Sequence, residues 1–178
     1  MNGPGVLYHG SPERIEGALR PVLRHGSEDH VHHRSAVFAT ERADVASLFM
    51  VPADALSSIG FEQDVAYICI WGTSEEFARR DPGGWLYELP AAAFEKIGKS
   101  YEWQCFADVA PVAATHHPSV IDGMLGRGAQ VYFVDDDPTF DRIVADKADR
   151  SAVLSTLVSE NERRGMKAHR FVPPGPAR

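Results

Sequence analysis

Cysteine is scarce in this chain: there are two among 178 residues, Cys69 and Cys105, each inside an apolar run. Two thiols make no disulfide framework, and a buried free cysteine behaves as a small hydrophobe. A reducing compartment is expected. No stretch of the sequence approaches the roughly 18 apolar residues that span a bilayer. Met1 to Gly5 shows no charged-then-apolar leader pattern. A cytoplasmic protein with no membrane partner is therefore expected. Positive charge is also in deficit, with 18 Lys and Arg against 25 Asp and Glu and a net charge of −7. That balance suits a nucleic-acid backbone poorly. The deficit is uneven, because residues 150–178 carry six basic and two acidic side chains. This basic end can meet an anionic partner or stand as a solvated terminal helix.

Repeats are lacking, and low complexity is confined to Pro173-Pro174-Gly175-Pro176. With 44% hydrophobic residues the chain can bury a core. One domain over 1–172 is expected, followed by a Pro-rich tail over 173–178.

Short apolar runs at 6–8, 36–39, 64–71, 85–89, 101–106, 109–114 and 130–134 predict strands. Asp64 to Trp71 lacks alternation, which suits a strand covered on both faces. Ser11-Pro12-Glu13 predicts a capped helix running to about Leu19. Thr40 predicts the cap of a second helix reaching Met50, with Ala43, Ala46 and Phe49 on one face. Further helices are expected over 118–125 and about 150–164. Strands and helices mix without a steady βαβ alternation, so the expected fold class is α+β with a largely antiparallel sheet.

Several motifs fail on inspection. Gly98-Lys99-Ser100 ends like a phosphate loop, but the Gly required five residues earlier is Ala93. No G-x-G-x-x-G or G-x-S-x-G occurs. His30, His32 and His33, with His116 and His117, are candidate imidazole ligands that lack the spacing of a zinc site. No metal is expected.

Three segments carry a resemblance when taken in order. The first is Leu7-Tyr8-His9-Gly10-Ser11. The second is Ala36-Val37-Phe38-Ala39 with a following helix that contains Ala46-Ser47-Leu48-Phe49. The third is Tyr101-Glu102-Trp103-Gln104-Cys105-Phe106, followed by Val109-Ala110-Pro111-Val112. Together they resemble the fingerprint of the ADP-ribosyltransferase superfamily, and most closely its poly(ADP-ribose) polymerase-like His–Tyr–Glu branch. The likeness spans about residues 6–114.

This resemblance implies the superfamily's fold, a central, mostly antiparallel split sheet with flanking helices. It implies NAD as substrate and no metal. Glu102 takes the place of the catalytic carboxylate, and His9 that of the residue which orients a ribose hydroxyl. Gly10 and Ser11 complete the first-strand motif, and Gly10 takes the position whose backbone holds the nicotinamide carboxamide. Val37, Phe38 and Phe49 take positions around the nicotinamide, with Phe49 where the branch usually has Tyr and Val37 where it often has another. Arg20 and Arg34 lie on the loop that covers the donor. The first-strand His and the lone Glu102 also separate the chain from the arginine-modifying branch, which has Arg there and a second acidic or amide residue two before its Glu.

The implied activity is cleavage of the nicotinamide–ribose bond and transfer of ADP-ribose to a macromolecular acceptor, protein or nucleic acid. Such a small transferase suits a toxin or effector, which in turn implies an antitoxin or inhibitor partner. Four rivals stand beside it. They are an NAD glycohydrolase, an RNA 2′-phosphotransferase-like enzyme, a non-catalytic NAD or ADP-ribose binding module, and an interaction domain acting through the basic end.

Overall fold

A computed structural model describes residues 4–22, 35–62, 64–145 and 167–168. The fold is α+β and mostly antiparallel. Six strands form one sheet in the order β6-β7-β2-β1-β5-β8. These are β1 (Val6–Ser11), β2 (Val37–Thr40), β5 (Gly84–Pro90), β6 (Glu95–Lys96), β7 (Glu102–Cys105) and β8 (Ala113–His117). A second sheet runs β10-β9-β4-β3, from β3 (Ser57–Glu62), β4 (Val65–Trp71), β9 (Gln130–Val134) and β10 (Lys167–Ala168). Every described pairing is antiparallel except β4 with β9. The helices are α1 (Ala43–Ser47), α2 (Ser74–Arg80), α3 (Val120–Gly126) and α4 (Asp137–Ala145), and a 3₁₀ turn, Leu48–Met50, extends α1. No helix among the described residues is long and apolar enough to cross a membrane.

The larger core cluster lies between the sheets and gathers Met50, Ile68, Ile70, Leu86, Met124 and Phe133. β4 reads as a near-continuous apolar run because it is covered on both faces, with Ala66 to Ile70 all buried. A second cluster, on the other face of the six-stranded sheet, holds Leu7, Val37, Tyr87, Leu89 and Cys105.

Two glycines set how closely the α1 segment approaches its sheet. A Cβ on Gly10 would lie 1.9 Å from the Ala46 carbonyl oxygen, and one on Gly84 would lie 2.6 Å from Met50 Cβ. With side chains at either place, residues 46–50 could not seat against β1 and β5.

Several expectations need correction. No helix forms over 11–19: Ser11 ends β1, opposite Trp85. Its hydroxyl closes a local turn with Glu13, accepting from the Glu13 N–H and donating to the Glu13 carbonyl. Tertiary hydrogen bonds then fix the next residues in a non-helical course. The Ile15 N–H donates to the Tyr87 hydroxyl at 2.6 Å, Leu19 bridges Val109, and Gly17 adopts φ 77°. Thr40 belongs to β2, three residues before α1 begins, and its hydroxyl accepts from the Arg42 N–H. The buried face of α1 and its 3₁₀ turn is Ala46, Ser47, Leu48 and Met50, so Phe49 leaves the core and is 37% exposed. The strand expected from Val109 begins only at Ala113, after Pro111, and Val109 makes an isolated bridge. The helix expected over 150–164 and the tail 173–178 lie outside the described residues.

Candidate active site

β1 carries His9 and Gly10 along the middle of the six-stranded sheet. On one side its ladder with β5 is long, running from Val6 opposite Pro90 to Ser11 opposite Trp85. On the other side it shares one registered pair with β2, Tyr8 opposite Thr40. Where that ladder stops, the His9 ring takes over: Nδ1 lies 2.7 Å from the Phe38 carbonyl oxygen. A carbonyl only accepts, so Nδ1 carries the proton. In the neutral ring Nε2 is then an acceptor.

Burial pushes the His9 pKa below its usual 6.5, against the opposing pull of the Phe38 hydrogen bond. His9 is therefore neutral at pH 7. Between the folded value and 6.5 the unfolded chain binds the proton that the folded chain refuses. Native stability accordingly falls as pH drops below 6.5. Melting scans from about pH 7.5 to about pH 5.5 test this. The wild-type melting temperature should fall more across that range than that of His9→Gln, which keeps a donor for Phe38 but does not titrate. His117 also titrates low, through burial and then the charges of Arg127 and His116, and it acts equally in both proteins. Parallel falls would mean that His9 ionises freely in the fold.

Glu102 begins β7, half-buried, opposite Thr40 across the sheet. Its N–H donates to the Ser100 hydroxyl at 3.1 Å, and its carbonyl accepts from the Ile97 N–H at 2.9 Å. Register thus lines up Glu102, Thr40 and Tyr8 on three neighbouring strands.

A cavity of about 470 Å³ opens at this place, lined by Tyr8, His9, Gly10, Phe38, Phe49 and Glu102 among others. Chain segments far apart in sequence thus bring five of the expected site residues together. Val37 points away into the second cluster, 2% exposed, and Ser11 is turned onto Glu13. Neither lines the cavity. Arg20 is exposed and also lies off it. Arg34 and the histidines at 30, 32 and 33 fall outside the described residues. His116 lies instead against the Trp85 ring, with centroids 4.7 Å apart. Among the described residues no three His, Cys, Asp or Glu side chains group as metal ligands.

No family model, curated protein or solved structure matches the chain. The geometry must therefore carry the reading.

Sequence reasoning missed the mouth of the cavity. Val22, Phe49, Ile59, Phe61 and Tyr101 all line it, and all rank among the exposed large hydrophobics. Apolar side chains gathered around one opening, in place of scattered over a surface, mark a binding site. Ile59 and Phe61 alternate on β3, an edge strand, and such a pattern ordinarily signals a core face. Nothing local in the sequence says that this face borders a cavity.

Proposed function

We propose that the chain is an NAD-dependent ADP-ribosyltransferase of the poly(ADP-ribose) polymerase-like kind, with its donor cleft where β1 and β2 part. One observation carries the reading. A single cavity gathers His9, Gly10, Phe38, Phe49 and Glu102, and these are five of the residues that the resemblance assigns to NAD and to catalysis.

Neutral His9, with Nδ1–H given to Phe38, offers its other ring nitrogen to a ribose hydroxyl. Phe49 supplies an exposed ring against which a nicotinamide can lie. The bond between ribose C1′ and the pyridinium nitrogen breaks with its electron pair going to nitrogen, and neutral nicotinamide leaves. Positive charge grows on C1′, as in glycoside cleavage. The Glu102 carboxylate stabilises that charge. The acceptor then bonds to C1′, and its proton passes to Glu102 or to water.

NAD carrying label on its adenylate is the probe. Release of free nicotinamide together with label on a protein or nucleic acid is the expected result. Release with free ADP-ribose as the sole product would assign water as the acceptor and make the chain a glycohydrolase. Binding of NAD without release would leave a binding module and overturn the transferase reading.

A further inference from the structure

Arg42 sits one residue before α1 and joins three segments that are distant in sequence. Its Nε and Nη2 donate to the two Asp44 carboxylate oxygens at 3.1 and 2.5 Å. Nη1 donates to Asp64 Oδ1 at 2.8 Å, and Nη2 to the Asp64 carbonyl at 2.7 Å. The guanidinium also lies over two rings, 5.3 Å from the centre of Phe61 and 5.0 Å from that of Tyr101. The Tyr101 hydroxyl donates to the same Asp64 Oδ1 at 2.7 Å. Phe61 and Tyr101 meet with centroids 5.3 Å apart. Both rings line the cavity, and Tyr101 is the residue before Glu102.

We propose that Arg42 is a positioning residue, which fastens the β3–β4 hairpin and Tyr101 into one wall of the cavity and so fixes where Glu102 stands. The inference rests on the transferase reading of that cavity.

Energetics point to geometry over stability as the use of the Asp64 arm of this cluster; the Arg42–Asp44 pair, with side chains 20% and 16% exposed, is the covered one. The Asp64 side chain is 73% exposed, and ion pairs so exposed add little to stability. The two rings are exposed as well, so core burial does not hold them. A planar fork that spans two carboxylates and a carbonyl does hold them, at less entropic cost than a flexible ammonium would. Asp64 adopts φ 65°, the single positive φ of a non-glycine among the described residues, at the tip of the hairpin. Its carbonyl is one of the groups that Arg42 binds. Both acids stay ionised at neutral pH. The Tyr101 hydroxyl and then the Arg42 charge hold Asp64 below the usual carboxylate range. Burial alone would raise Asp44, and the Arg42 hydrogen bond and charge outweigh it.

Arg42→Ala and Arg42→Lys in the full chain test the proposal with two independent readouts. Backbone hydrogen exchange should quicken about tenfold in the β3–β4 hairpin and at residues 100–103, and stay unchanged in β1 and β5. For nicotinamide release, kcat should fall about tenfold while KM stays within about threefold. Lys keeps the charge but lacks the fork, so it should behave like Ala. Should Arg42→Ala not fold, Asp64→Asn at the exposed tip carries the same readouts in milder form. Unchanged exchange overturns the clamp, and quickened exchange with wild-type kcat overturns the positioning role. Full restoration by Lys overturns the fork in favour of plain charge. A wild-type chain that releases no nicotinamide overturns the transferase reading instead, and exchange still judges the clamp.

Discussion

Glu102→Gln is expected to lower nicotinamide release about 10²-fold or more while the melting temperature stays near wild type. Gln matches Glu in size and can hydrogen bond, but it brings no negative charge to the cationic centre on ribose C1′. The wild-type fold should survive because three links of Glu102 to the sheet run through its main chain. Its N–H meets Ser100, its carbonyl meets the Ile97 N–H, and its backbone pairs with Thr40. All three links are indifferent to the side-chain head group. Affinity for NAD should change less than turnover, because a group that acts on developing charge is felt most in the transition state. Rates and melting curves for the two proteins, measured side by side, decide the matter. A folded variant with wild-type turnover would remove Glu102 from the chemistry.

What the sequence made legible follows from how local each signal is. β4 could be read because burial on both faces produces an unbroken apolar run. α3 could be read within two residues because Ser119 caps it, accepting from the Asp122 N–H. The strand placement of His9, Gly10 and Glu102 could be read because each lies at or beside a short apolar run, and all three line the cavity. The capping box of Thr73 and Glu76 is equally local and marks the start of α2, a helix absent from the expected elements although its signal is present in the sequence. The failed helix over 11–19 differs in kind. Ser11, Pro12 and Glu13 do favour a helix start, and the partners that override them, Tyr87 and Val109, lie far along the chain. The Arg42 cluster was invisible for the same reason: apart from Asp44, its members are 19 or more residues away from Arg42 and meet only once both sheets have formed.

Gly10→Ala should be among the most damaging small substitutions in the chain. The resemblance gives Gly10 a ligand role through its backbone, which Ala would keep. The packing gives it another role, which Ala cannot keep. The added Cβ would lie 1.9 Å from the Ala46 carbonyl oxygen, 3.0 Å from the Ala46 carbonyl carbon and 3.3 Å from the Met50 nitrogen. All three are backbone atoms, so no side chain can rotate aside. The α1 segment must move off β1 by an ångström or more, and overpacking of that kind costs about 1–3 kcal/mol, occasionally more. In a chain of this length that is a melting drop of roughly 3–10 °C. The same shift carries Val45, Ala46 and Phe49 away from the cavity they line, so NAD affinity should fall too. Gly5→Ala is the control, because a Cβ there meets nothing within 4 Å. Its melting temperature should match wild type. If Gly10→Ala melts with the control yet loses NAD affinity, the glycine serves the ligand alone, and the close seat of α1 on β1 is not what requires it.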